Sequence, residues 1–460
     1  MDSRYVGQWW VPDAASSRVA GELTITPGQP ALLELQEPLS DGLPTSTLDV
    51  VLGSSTHGEV LTLADVGSLG ISRASTRKLD HEVMRETMSP RAIFVGAHLP
   101  GPEDRLFSEA IIDLTDLMGW AGPTGLREDF GVGSADVTIS VEPPPVHSCD
   151  LPQGRVQVTH GWGTAGDGVR TRSLDTSVAF LVTTTHPRDL SEWISLFVGP
   201  LRNLLTFAAQ RPNEVTELRV KTLRYDATHG TWVEVWYPRG HSDREPALYG
   251  FDFLVDLPGL GDDFERFVKR WFELHEKLGT VIPLFLGPRY RPDTFMDNHF
   301  LNAAGATEAY HRILYRNEVL PKAEHKIRLA TAIDSAPEAH RPWLRETLAH
   351  SNEPTFRDRL RELHARSFNV VAGVVGTADD FAGPVVKLRN ALTHRGKGTP
   401  KATPPGIDMF RLTQITRFVL ESCLLLDLGL DEMAVVDATR RSLAFRWIEE
   451  LEMRERMRTV

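Results

Sequence analysis

The fold and the chemistry of this chain centre on the stretch Lys387-Leu388-Arg389-Asn390-Ala391-Leu392-Thr393-His394-Arg395-Gly396. The surrounding segment 381–407 contains no acidic residue, although the formal net charge of the whole chain is −12. Its basic residues are Lys387, Arg389, Arg395, Lys397 and Lys401. A basic segment with one histidine that titrates near neutral pH suits a phosphate-bearing substrate.

The same stretch has features of the end of a helix. Its apolar face consists of Val385, Val386, Leu388 and Leu392. Pro384 is typical of the first turn of a helix, and Gly396 is typical of the residue that follows a helix. Arg389 and His394 are five residues apart, about 140° around an ideal helix. The imidazole therefore reaches the guanidinium only if the helix ends near His394, where the helix dipole favours its protonated form.

Spacing by itself does not distinguish this pair, because an Arg followed by a His five residues later occurs six times in the chain. Among these six arginines, only Arg389 is followed directly by an asparagine. Its pair also lies within the acid-free segment 381–407. From the residues alone, a basic helix end with a capping histidine therefore remains an alternative to a catalytic site.

Three segments resemble known families. Arg389-Asn390-x-x-x-His394 resembles the R-N-x-x-x-H motif of HEPN ribonucleases. Residues 298–303 and Thr307-Glu308-Ala309-Tyr310-His311-Arg312 resemble the opening helix of the HEPN domain in ApeA-type anti-phage proteins. Gly7-Gln8-Trp9-Trp10-Val11-Pro12 and Gly21-Glu22-Leu23 resemble the first strands of the ApeA amino-terminal domain. These segments occur in the expected order and span most of the chain.

Composition excludes several classes of protein. The 460 residues predict two or three domains, and 41% hydrophobic residues allow full-sized cores. Two cysteines without a CxxC pattern argue against a disulfide framework or a zinc site. No signal peptide opens the chain and no apolar run is long enough to span a membrane, so we expect a cytoplasmic protein without a membrane partner. A pI near 5.8 disfavours a general nucleic-acid coat protein.

The hydrophobic periodicity changes along the chain, which predicts an α+β protein. Residues 1–285 are predicted to form a β-rich, sandwich-like domain, with a division near 143–150 that would give two lobes. A Gly/Pro-rich linker is predicted at 283–292, and an all-α HEPN bundle at 293–460. The predicted long elements of the helical half are 295–315, 321–333, 355–368, 379–393, 408–428 and 431–457.

RNA can be cut without a metal ion or another cofactor when its 2′-hydroxyl attacks the adjacent phosphate. By resemblance, His394 would transfer protons and Arg389 would hold the phosphate. Asn390 would orient either the histidine or a phosphate oxygen. A guanidinium fork matches two phosphate oxygens, which suits Arg389 to this role. The residues expected to guide the RNA strand are Lys387, Arg395 and Lys397. No metal-ligand cluster lies near this segment.

Glu308 and Arg312 are four residues apart and can pair along the first HEPN-like helix. Their ion pair is expected either to be purely structural or to support the residues that line the proposed RNA-binding cleft. One histidine per chain is too few for an acid and a base. HEPN enzymes meet this need by dimerising, so the resemblance implies a homodimer or a higher homo-oligomer.

The resemblance implies a metal-independent endoribonuclease of anti-phage defence that arrests growth by abortive infection. RNA would be its substrate, and a phage-derived trigger would be a further partner. Two alternatives remain: a HEPN bundle that binds RNA or nucleotide without cutting, and a protein-interaction module. Intact Arg389, Asn390 and His394 favour the enzyme, because a binding module needs the arginine but not the histidine.

Overall fold

A computed structural model describes residues 3–39, 47–75, 82–130, 137–167, 170, 173–222, 231–238, 246–375, 377–393 and 406–459. The chain divides into two units. The β unit consists of Met1–Leu205 and Pro212–Gly250, and the helical unit of Thr206–Arg211 and Phe251–Val460. The predicted change from β-rich to all-helical structure is confirmed, whereas the domain limits at 285 and 293 stay a prediction.

The β unit is built from antiparallel strands. They are β1 (Ser3–Trp10), β2 (Val19–Ile25), β3 (Leu32–Leu35), β4 (Thr47–Ser55), β5 (Val60–Ser75), β6 (Glu82–Val95), β7 (Phe107–Leu114), β8 (Leu126–Phe130), β9 (Val137–Val141), β10 (Ser148–Leu151), β11 (Gly154–Ala165), β12 (Ser173–Arg188), β13 (Val215–Lys221) and β14 (Trp232–Trp236). Strands β13 and β14 pair with each other, with Arg219 opposite Glu234.

Six of these strands close into a barrel in the order β6-β3-β2-β1-β4-β5, because β5 pairs again with β6. From β6 the sheet continues through β14, β13, β7, β12, β11 and β10, while β8 and β9 form a separate ribbon. The barrel encloses the fully buried ring of Trp9 together with Leu23, Leu33 and Leu61. Gly53 allows this packing, since a Cβ atom there would overlap the Trp9 ring.

Helical structure interrupts the β unit at two places. A short helix, α1 (Leu117–Ala121), follows β7. After β12 come α2 (Leu190–Trp193), a π-helical turn at Ile194–Val198, and α3 (Gly199–Ala209). Asp189 caps α2 by accepting the Glu192 N–H.

The helical unit contains the end of α3, from Thr206, and eleven further described helices. They are α4 (Leu257–Leu260), α5 (Phe264–Leu278), α6 (Val281–Tyr290), α7 (Met296–Leu314), α8 (Lys322–Asp334), α9 (Arg341–Thr347), α10 (Phe356–Val375), α11 (Ala378–Thr393), α12 (Gly406–Asp427), α13 (Glu432–Arg441) and α14 (Leu443–Thr459). Helices α7, α10, α11 and α12 pack on one another around buried side chains that include Phe300, Leu363, Val385 and Val419.

Three local predictions in this unit are wrong. Residues 283–290 belong to helix α6 and not to a linker, because Pro283 lies in the first turn, where no N–H is needed, and Phe285 and Leu286 are buried. The helix predicted over 431–457 is two helices, because Ser442 has an extended backbone and its hydroxyl accepts the Phe445 N–H to begin α14. Pro384 lies inside α11, not at its start.

Candidate functional site

Helix α11 carries the motif arginine. It begins six residues before Pro384 because Thr377 and Asp380 cap its first turn: the Asp380 N–H donates to Thr377 Oγ1 at 3.3 Å, and the Thr377 N–H donates to Asp380 Oδ2 at 3.2 Å. The Thr377 hydroxyl also donates to Asp380 Oδ2 at 2.7 Å, and this bond, followed by the one from the Thr377 N–H, lowers the pKa of the Asp380 carboxyl. The buried Val385 and Leu388 fix the rotation of the helix, which leaves Arg389 at the edge of the packed face.

The guanidinium of Arg389 is held by groups from three helices. Its Nη2 donates to Glu308 Oε2 on α7 at 3.3 Å, and its Nη1 donates to Asn390 Oδ1 at 3.4 Å. The guanidinium carbon lies 5.6 Å from the ring centre of Phe356, at the start of α10, a cation–π distance. About a third of the Arg389 side chain (35%) is exposed. Within the described residues its remaining N–H groups have no hydrogen-bond partner. One edge of the guanidinium can therefore bind an anion.

Glu308 serves two arginines at once. Its Oε2 accepts from Arg389, while Oε1 lies 3.7 Å from Nη2 of Arg312, one turn further along α7. The pair that the sequence predicts between Glu308 and Arg312 is therefore present in the structure. The structure adds the second pair, which joins α7 to the motif helix. Whether this pair supports catalysis stays a prediction.

Behind Arg312 lies a cluster that sequence reasoning missed. His311 is fully buried, and its Nδ1 is 3.1 Å from Nη1 of Arg359, which is 1% exposed. An arginine can only donate, so Nδ1 accepts and Nε2 carries the proton that it shares with Glu362 Oε2 at 2.6 Å. Burial lowers the pKa of His311, and the neutral imidazole of this tautomer matches both partners.

Glu353 connects this buried cluster to the site. Its Oε2 lies 3.7 Å from Arg312 and 3.7 Å from Arg359, and its Oε1 lies 3.0 Å from Nδ1 of His350. Hydrogen bonding to His350, followed by the charge of Arg312, holds the pKa of the Glu353 carboxyl below its usual range. Acidic and basic side chains thus alternate from Arg389 through Glu308, Arg312 and Glu353 to Arg359.

Five of the eight predicted site residues lie within the described part of the chain. Glu308, Arg312, Arg389 and Asn390 come together as described, and Asn390 is exposed beside the arginine. Lys387 is exposed on α11, two residues before Arg389, and has no ion pair among the described residues. The remaining three predicted residues, His394, Arg395 and Lys397, lie outside the described residues, directly beyond the end of α11 at Thr393.

Neither a metal-binding cluster nor a membrane-spanning helix is present among the described residues. No group of three or more His, Cys, Asp and Glu side chains in the described part of the chain is arranged to hold a metal ion. No helix there combines the length and the apolar character that a membrane crossing requires.

Comparison with known families gives two matches. A family model described as ApeA N-terminal domain 1 matches residues 4–271, more than half of the chain, and a model described as Apea-like HEPN matches residues 301–433. The second range contains Glu308, Arg312, Arg389 and the residues that follow α11. Neither a curated protein nor a solved structure matches the chain.

Proposed function

We propose that this chain, which belongs to the ApeA-like proteins with a carboxy-terminal HEPN domain, is a metal-independent endoribonuclease of anti-phage defence. The HEPN family supports a nuclease-type activity that acts on RNA. The observation that carries the finer assignment is Arg389, ion-paired to Glu308 on one edge and open to solvent on another, inside an R-N-x-x-x-H motif.

The proposed reaction is an internal transesterification. The 2′-hydroxyl loses its proton to a base and attacks the adjacent phosphorus, and the bond to the 5′-oxygen breaks as an acid protonates that oxygen. The products are one RNA end with a 2′,3′-cyclic phosphate and one with a 5′-hydroxyl. Negative charge accumulates on the phosphorus oxygens at the transition state, and a fixed guanidinium placed there stabilises that charge.

Arg389 suits this role because its orientation is set before substrate arrives. Glu308 and Asn390 each take one N–H, and Phe356 lies against the guanidinium. A preorganised donor loses little freedom when phosphate binds, which is why such groups contribute strongly to catalysis. In this proposal Asn390, which is exposed, orients either the phosphate or the histidine.

His394 is the proposed proton-transfer group, and Arg395, Lys397 and Lys387 guide the strand. A concerted displacement needs a base and an acid at the same moment, and one histidine per chain supplies one of the two, so we place two copies of the motif in one cleft of a homodimer. The protein would act in the cytoplasm, with the β unit responding to a trigger from the phage.

The direct test is incubation of the purified protein with total RNA, followed by analysis of the new ends. Cyclic phosphate and 5′-hydroxyl ends, absent from a reaction with His394→Ala, are the expected result. Retained RNA binding without any cleavage by the parental protein would favour a non-catalytic HEPN binding module. Absence of both binding and cleavage would favour a protein-interaction module.

A further inference from the structure

Residues 352–356, which lead into α10, reach the candidate site at two points. Phe356 supports the Arg389 guanidinium, and Glu353, three residues earlier, lies against Arg312. The neighbouring Asn352 fixes this segment: its side chain accepts from the Leu320 N–H at 2.9 Å and donates to the Leu320 carbonyl at 3.0 Å. The Val319 N–H also donates to the Asn352 carbonyl at 2.8 Å. Glu353 is therefore held in place by backbone and side-chain hydrogen bonds.

Arg312 stands between two carboxylates. Its Nη2 lies 3.7 Å from Glu308 Oε1 and 3.7 Å from Glu353 Oε2, so neither acid holds it in a close pair. Without the charge of Glu353, the attraction of Arg312 toward Glu308 would be unopposed. A closer pair with Arg312 would pull the Glu308 side chain toward that arginine and lengthen its single 3.3 Å contact with Arg389.

Buried Arg359 fixes the far side of the same arrangement. It is 1% exposed, bonds to His311 and Asn317, and lies 3.7 Å from Glu353 Oε2. A buried cation cannot turn toward water, so it attracts the Glu353 carboxylate from a fixed point. Glu353 is thus the one carboxylate in this chain of contacts that touches both the buried cluster and the partly exposed Arg312.

We propose that Glu353 is a positioning residue: by sharing Arg312 with Glu308, it keeps the second Glu308 oxygen on Arg389 and so fixes the arginine that holds the scissile phosphate. The effect of Glu353 on cleavage rests on the proposed function, whereas its effect on the orientation of Arg389 does not. Glu353 touches no substrate in this proposal and acts only through Arg312 and Glu308.

The test compares Glu353→Gln, Glu353→Asp and the control Glu346→Gln, an exposed carboxylate on α9 without an ion pair among the described residues. Full-length variants cut a labelled RNA under single-turnover conditions, and RNA affinity is measured separately. We expect Glu353→Gln to lower the rate constant about 5- to 20-fold, with affinity within about twofold, because misorientation of a catalytic group costs rate more than binding. Glu353→Asp keeps the charge and should stay within about threefold of the parental rate.

A second measurement follows Arg389 directly. Phenylglyoxal modifies accessible arginines, and peptide mass spectrometry gives the rate at Arg389 relative to exposed Arg345 in the same molecule. We expect Glu353→Gln to raise this ratio about threefold, since the guanidinium spends more time away from Glu308. Glu346→Gln should leave it unchanged.

Three results would overturn the positioning role. The first is Glu353→Gln matching Glu346→Gln in both the cleavage rate and the modification ratio. The second is Glu353→Asp losing as much rate as Glu353→Gln, which would assign the effect to shape. The third is a loss of rate that follows the melting temperature across the variants. If the parental protein cuts no RNA, the proposed function fails, and the modification ratio still decides the claim about Arg389.

Discussion

Replacing Glu308 by Gln tests the contact that joins α7 to the motif helix. The change keeps the size of the side chain but removes the charge that pairs with Arg389 at 3.3 Å and with Arg312 at 3.7 Å. The amide oxygen can still accept one hydrogen bond, whereas its NH₂ group is repelled by both guanidinia. Arg389 then loses the strongest of the three contacts that set its orientation.

The size of the effect follows from distance and exposure. Two unit charges 3.3 Å apart attract by about 5 kcal/mol at an effective dielectric constant near 20. The Arg389 and Glu308 side chains are 35% and 23% exposed, so water and side-chain entropy reduce the net contribution to about 1 kcal/mol of unfolding free energy. For a unit of this size, that lowers the melting temperature by about 2–4 °C. Misorientation of Arg389 should cost about 10- to 100-fold in cleavage rate.

The assay measures single-turnover cleavage beside the melting temperature for Glu308→Gln and for Glu324→Gln. Glu324 is exposed on α8 and has no ion pair within the described part of the chain, so its variant controls for the loss of one negative charge. A Glu308→Gln rate within twofold of the Glu324→Gln rate would refute the reasoning. A large loss of rate with a small change in melting temperature would support it.

The remaining predictions concern metal, assembly and pH. RNA cleavage should continue in excess EDTA; loss of activity that a divalent ion restores would contradict the proposed mechanism. Light scattering should give a mass about twice the 51.3 kDa of one chain, and a strictly monomeric active protein would exclude the composite site. Burial lowers the pKa of His275 to about 4. Between about pH 6.5 and 4, His275 is therefore protonated in the unfolded chain but neutral in the folded chain. The unfolding free energy should therefore fall by up to about 3 kcal/mol between pH 6.5 and 4, and urea titrations should show a smaller fall in His275→Gln.

Local sequence patterns predicted much of the secondary structure. Phe264, Phe267 and Trp271 recur at helical spacing along α5, and Asp189 stands at the position before α2 where a capping residue is expected. These features depend on neighbours within one or two turns, which the sequence displays directly. Helix α6 was missed because its Gly and Pro content resembles a linker, whereas burial of Phe285 and Leu286 stabilises it as a helix.

Contacts between residues that are far apart in the sequence could not be predicted from local patterns. Closure of the barrel depends on the pairing of β5 with both β4 and β6, and alternation along a strand does not specify its partner. The site shows the same limit: Glu308 and Arg389 are 81 residues apart, and no local pattern brings them together. Family resemblance placed both residues in motifs, but only the packing of α7 on α11 showed their ion pair. Arg359 carried no signal that separated it from other arginines, and the motif that contains His311 gave no indication of its contact with Arg359.

In the proposed function, Arg389 and His394 catalyse RNA cleavage. The most direct measurement is the single-turnover cleavage rate of His394→Ala and Arg389→Ala, beside the melting temperature of each variant and of the control His340→Ala, an exposed histidine in the helical unit. We predict a loss of about 10²–10⁴ in rate for each motif variant, as expected for removal of a proton-transfer or charge-stabilising group. The melting temperature should stay parental in His394→Ala and fall by only about 2–4 °C in Arg389→Ala, which loses the Glu308 pair. Arg389→Lys should also be strongly impaired, since an ammonium group cannot copy the guanidinium fork. Cleavage by His394→Ala at the parental rate would contradict the assignment of catalysis to this motif.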